Sequence, residues 1–189
     1  MRRFGLTAGV LAVAMSFGVA DARRSDGAVQ DYTTFADGSG NMRILFRVSP
    51  EETLANVAIS RATLRFQLQG AATDRNLRVR VHPVTASWNA GSASWDGWTT
   101  AGGDIEDDLY VPFEVDLSSG SGWVEVDMTP LLKEQYEKGA SSEGFLLMSD
   151  PGVSNGLASS DASRFAGLAN ATIDIRYREL PSAGPPERR

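Results

Sequence analysis

Apolar and polar residues alternate one by one through most of this chain, and that period constrains the fold more than any other feature. In Met42 to Val48, Ile44, Phe46 and Val48 fall on one side and Arg43 and Arg47 on the other. Leu64, Phe66 and Leu68 alternate with Arg65, Gln67 and Gln69. Leu77, Val79 and Val81 alternate with Arg78, Arg80 and His82. A period of two belongs to a half-buried strand, because successive side chains leave opposite faces of a pleated backbone. Further strand-like runs occupy Val111 to Leu117, Trp123 to Met128, Gly144 to Met148 and Ala171 to Tyr177. Gly, Ser, Asn and Asp clusters separate them, as in an antiparallel sandwich with one wet and one buried face per sheet. The fold class is therefore all-β: an antiparallel, jelly-roll-like β-sandwich with one short α-helix. The helix is expected at Thr129 to Gly139, with Thr129 as cap, Pro130 at the first helical position, Leu131, Leu132 and Tyr136 as the apolar stripe and Gly139 just past the end. It should plug one end of the sandwich.

The two chain ends read differently. Arg2 and Arg3 precede an uncharged, mostly apolar stretch from Leu6 to Ala20, and Ala20-Asp21-Ala22 supplies small residues at the positions a signal peptidase needs. Residues 1–22 are thus expected to be a secretory signal peptide, cleaved before Arg23. Residues 23–178 form the expected β-sandwich domain, and the Pro-rich stretch 179–189 a disordered tail. No stop-transfer run follows the apolar stretch, so no membrane span is expected after cleavage. A net charge of −6 argues against generic binding to nucleic acid or anionic membranes. The absence of cysteine removes disulfides, thiol catalysis and Cys-zinc sites together.

No catalytic constellation emerges, and the chain is expected not to be an enzyme. A Ser-His-Asp triad would need His82, the one histidine, which alternation puts beside Arg78 and Arg80 as a surface strand residue or a ligand-contacting imidazole. Gly38-Ser39-Gly40 lacks the Lys-Ser/Thr of a phosphate loop. Asp104, Glu106, Asp107 and Asp108 crowd four carboxylates into five residues, and Asp37 and Asn41 flank a flexible loop. Either cluster suits calcium, which takes several oxygens, or is simply a solvated acidic loop. Trp88, Trp95 and Trp98 fall close together. Their rings either stack on sugar faces or fold back over the sandwich edge, and Trp98, in a turn-like setting after Asp96-Gly97, is the better ligand candidate.

Alternation also suggests a basic face. Arg78, Arg80 and His82, Arg65 and Gln67, and Arg43 and Arg47 all point outward from their strands. In one sheet they would suit an anionic polysaccharide, since Arg grips carboxylates bidentately and Gln bonds hydroxyls. Divided between two sheets, each Arg would instead pair with a nearby acid.

The order of motifs resembles the DNRLRE-type domain, the group that includes carbohydrate-binding module family 96. An extended strand like Arg43 to Val48 is followed by a segment like Val57 to Phe66. A strand then runs into Val84 to Trp88, with a second tryptophan at Trp95. Gly122 to Asp127 leads into the helix, Glu143 to Leu147 opens the next strand, and Ser159 to Ser163 precedes the closing strand Ala171 to Tyr177. The resemblance implies a jelly-roll-like sandwich opening with a short strand, secretion, and binding of an extracellular polysaccharide, alginate among them. The competing expectation is a structural or adhesive subunit of a cell-surface matrix or filament, whose partners would be other matrix or surface proteins.

Overall fold

The computed structural model describes residues 22–140, 142–153 and 156–181. The expected signal segment, apart from Ala22, and most of the expected tail lie outside them. Eight strands follow in chain order: β1 (Arg23–Ala36), β2 (Met42–Pro50), β3 (Val57–Leu68), β4 (Asn76–Pro83), β5 (Val111–Asp116), β6 (Gly122–Asp127), β7 (Phe145–Ser149) and β8 (Thr172–Glu179). Among the described residues one α-helix, α1 (Thr129–Glu137), lies between β6 and β7. The fold is all-β and antiparallel with one short helix, as the alternation requires.

All eight strands share one hydrogen-bonded order, β5-β4-β7-β2-β1-β8-β3-β6. β1 is the joint between two halves. Its residues 27–36 pair with β2 and its residues 23–28 pair with β8, with a register shift between Val29 and Asp31. A bulge of this kind bends and twists a strand, which lets the sheet fold over itself. The inner faces of the two halves then share one core: Ile44, Phe46, Val79, Val81 and Leu147 from one, Leu64, Phe66, Val126, Ile173 and Ile175 from the other. Each such side chain contributes about 1.5–3 kcal/mol of burial free energy. β5 and β6, at the two ends of the order, touch.

The helix packs along β3 and buries Leu131 and Leu132. Its Leu131, Glu134 and Gln135 also border a crevice with Pro83, Thr85 and Leu109 from the other half, so it covers one end of the sandwich. Its start differs from expectation. Met128 holds the cap position without a side-chain bond, and Pro130 is second in the helix rather than first. Thr129 is occupied elsewhere: its hydroxyl accepts the Ala62 N–H at 2.8 Å, while Asp127 accepts the Thr129 N–H at 3.0 Å. Thr129 thus staples the helix to β3, and the capping oxygen comes from Asp127. Gly139 ends the helix as expected, at φ +70°, a left-handed conformation that costs glycine little.

Candidate functional site

The two halves present very different outer faces. On the β4-β7-β2 side, the loop of residues 84–110 folds back over the sheet. Trp88 is buried, donates its indole N–H to the Glu143 carbonyl at 2.8 Å, and has the Arg47 guanidinium 4.3 Å above its ring. Phe35 stacks on Trp98 and meets Trp95 edge-on, both at 6.2 Å. Leu45, Val84 and Leu146 complete this second apolar cluster. Arg43 lies 4.7 Å over the Trp95 ring and donates to the Gly102 carbonyl. Gly102 sits at φ +90°, where a Cβ would fall 2.6 Å from the Arg43 guanidinium carbon. A side chain at that position would be strained by the backbone and would push the Arg43 guanidinium aside.

Of the two readings of the outward Arg residues, the divided one describes the structure: their strands fall in opposite halves, Arg47, Arg65, Arg78 and Arg80 each meet a nearby acid, and the loop covers Arg43 and His82. His82 is 2% exposed rather than a surface residue. Its Nδ1 lies 3.1 Å from the Glu106 carbonyl and its ring packs 5.3 Å from Tyr110. Burial, reinforced by Arg80 and Arg43, holds its pKa below the ordinary value. Arg80 pairs with Asp150 and lies 4.2 Å over Tyr110, and Arg78 faces Glu114 at 3.5 Å. Trp98 belongs to the cover, with its indole nitrogen buried. Arg43, Arg78, Arg80, His82 and Trp98 are thereby separated from Arg65 and Gln67, which sit on β3 in the opposite half.

The acidic loops are built as turns. Asp104 accepts the backbone N–H groups of Thr99 and Thr100 at 3.0 and 2.6 Å, and the Thr100 bond chiefly lowers its pKa. Glu106, Asp107 and Asp108 are exposed, and Glu106 meets His82 through its carbonyl, not its carboxylate. Asp37 accepts from Ser39 and Asn41 within its own loop. Among the described residues, no three His, Asp or Glu side chains converge as metal ligands would.

The outer face of β1-β8-β3-β6 is open. Register sets its side chains in rows across the strands. Gln67 lies beside Trp123. In the next row come Thr172, Arg65 and Glu125, then Asp26, Asp174, Thr63 and Asp127, then Arg24, Arg176 and Arg61. Rows are about 7 Å apart along the strands and strands about 4.8 Å apart, so the face is a shallow polar plate. A depression of about 250 Å³ crosses its middle, between Arg61, Arg65, Asp174 and Arg24. Trp123 stands at one end, 59% exposed, with the Arg65 guanidinium 4.3 Å over its ring.

Arg65 and Gln67 are the two expected ligand residues found on this face. Trp123, which the sequence reading did not single out, joins them. Val124 and Val126 point inward, so alternation already turns Trp123, Glu125 and Asp127 outward. The closely spaced Trp88, Trp95 and Trp98 serve instead as cover over the other half.

Chemically, the plate offers a flat aromatic ring, guanidinium donors, carboxylate acceptors and two threonine hydroxyls. A search against models of protein families finds none that matches the chain, and a search of curated proteins finds no similar one.

Proposed function

We propose that this chain is a secreted, non-catalytic carbohydrate-binding protein that takes polysaccharide on the open β1-β8-β3-β6 face. The observation that carries this reading is the exposed Trp123 ring on an otherwise polar sheet face. A ring left this far in water has an apolar surface to offer, and sugars present C–H groups that pack on such a surface. Arg65 holds the ring in place, while Gln67, Thr63, Glu125 and Asp174 can bond hydroxyls beside it. Secretion rests on the export pattern in residues 1–22, and the DNRLRE-type resemblance supports the same class of function.

Affinity electrophoresis through gels containing soluble polysaccharides tests it. The wild-type chain should be retarded by at least one polymer. Trp123→Ala should weaken retention by about tenfold or more, as loss of one stacking and packing contact of about 1.5 kcal/mol implies, with an unchanged melt. Equal retention of the variant would remove the face from the argument.

A structural or adhesive role is the second reading. It is favoured by the alternation of Arg and Asp rows on the open face, a pattern complementary to a second copy of itself. Size-exclusion chromatography with and without Trp123→Ala separates the two readings.

A further inference from the structure

We propose that the open face selects neutral, hydroxyl-rich polysaccharide and rejects polyuronates; this rests on the carbohydrate-binding reading above. Four guanidiniums and four carboxylates occupy the rows around the depression: Arg24, Arg61, Arg65 and Arg176 against Asp26, Glu125, Asp127 and Asp174. Arg178 lies one step farther along β8, at the strand's end. Three of the guanidiniums and three of the carboxylates are joined in ion pairs. Arg24 bridges Asp26 and Asp174, each at 3.0 Å. Arg176 reaches Asp174 at 3.8 Å, and Arg65 reaches Glu125 at 3.5 Å.

A uronate chain carries a carboxylate on every sugar. On this plate each would have to displace an existing carboxylate from its guanidinium, or lie beside it with like charge. Arg61 and Arg178 are the exceptions: neither makes an ion pair among the described residues, and Arg61 donates to the Thr63 hydroxyl at 3.2 Å. Both lie beyond the row of Asp26, Asp174 and Asp127, at the end of the face away from Trp123, so a uronate chain packed on the ring meets the carboxylate row first. The whole chain, at −6, adds repulsion at longer range.

Hydroxyl groups meet no such conflict. A carboxylate accepts from one hydroxyl, or from two on adjacent carbons, while keeping its Arg partner, because it has more lone pairs than that partner uses. A guanidinium bound through one edge still has N–H groups to donate. The paired rows thus arrive with donors and acceptors already oriented. Trp123 supplies the apolar contact at their end.

The test runs wild type and Trp123→Ala through gels containing a neutral β-glucan, xylan or galactomannan, and through gels containing alginate or polygalacturonate. Each is run at about 0.05 and 0.5 M salt, which brackets strong and weak screening. Expected is retention by a neutral polymer that the substitution weakens about tenfold and that salt changes less than about twofold. No retention is expected on alginate or polygalacturonate. Retention on the anionic polymers, lost in Trp123→Ala and at high salt, would overturn the ligand class while leaving the face as the binding site. Retention by a neutral polymer that Trp123→Ala does not weaken would overturn the site. Retention by neither class would overturn the carbohydrate-binding reading itself.

Discussion

Arg164 carries a guanidinium into the fold at 7% exposure and spends it on backbone carbonyls. It donates to Ala71, to Leu117 at 3.1 Å and to Gly120 at 3.2 Å, tying the loops after β3 and β5 together. Hydrogen bonds to a charged group are worth about 1.5–3 kcal/mol each, and they do not add fully when they share one donor group. Arg164→Met keeps an unbranched apolar stem but removes the guanidinium and strands those acceptors, since backbone carbonyls cannot be substituted away with it. We expect a loss of about 3 kcal/mol, seen as a lower urea midpoint with an unchanged slope. A midpoint equal to wild type would mean that water replaces the guanidinium there without penalty. At this scale the sequence is legible in direction but not in surroundings. Alternation correctly sets His82 opposite Val79 and Val81, yet it carries no information about what covers that side. The same rule turns Trp123 outward, where nothing covers it.

Among the elements, the 84–110 loop does the most to shape the surface, and Trp88 is its anchor. The ring fills the space against Leu146 and Val84, Arg47 lies across it, and its N–H is bonded to the Glu143 carbonyl. Trp88→Ala should cost about 3–5 kcal/mol and loosen the loop, exposing Trp95 and Trp98 to faster indole hydrogen exchange. Slow exchange at both rings after the substitution would show that Phe35 and Arg43 hold the loop unaided. Six of the eight strands follow from alternation, β7 from its short apolar run after turn residues, and the helix from the Pro130 to Gly139 punctuation. β1 does not, although at Arg23–Ala36 it is the longest strand. The resemblance implied only a short opening strand. Its first inner positions are Ser25, Gly27 and Val29, and Gly27 has no side chain because another backbone passes close: a Cβ on it would lie 2.6 Å from the Ser49 carbonyl oxygen. The tightest packing in the joint therefore erases the hydrophobic signal that would have revealed it. Strand order was beyond the sequence for a related reason. Alternation assigns a face to each residue but leaves open which strands are neighbours, and the proposed basic face depended on that.

The pH dependence of stability belongs to the whole molecule, and here its parts separate along the scale. Asp37, Asp104 and Asp116 have pKa values lowered below 3.8, chiefly by bonds from the Asn41 side chain, the Thr100 N–H and the Ser118 side chain. The stability they lend is present above the unfolded carboxylate pKa and is lost as pH falls below it. His82 acts at higher pH. Its folded pKa is lowered below 6.5 by burial, with Arg80 and Arg43 adding to the shift and the Glu106 carbonyl and Asp107 opposing it. Below 6.5 the unfolded chain takes up a proton that the folded chain resists, so stability falls as pH drops through that range. The slope can reach about 1.4 kcal/mol per pH unit, the limit for one proton. Urea unfolding from about pH 7.5 to 5 should show this loss in the wild type, while the carboxylates remain ionised. His82→Phe, whose ring can still pack on Tyr110, takes no proton and should give a nearly level curve across the same range, whatever its absolute stability. A wild-type curve equally level would mean that His82 protonates as readily in the folded chain as in the unfolded one, and the loop over it would have to open to admit water as far as that ring.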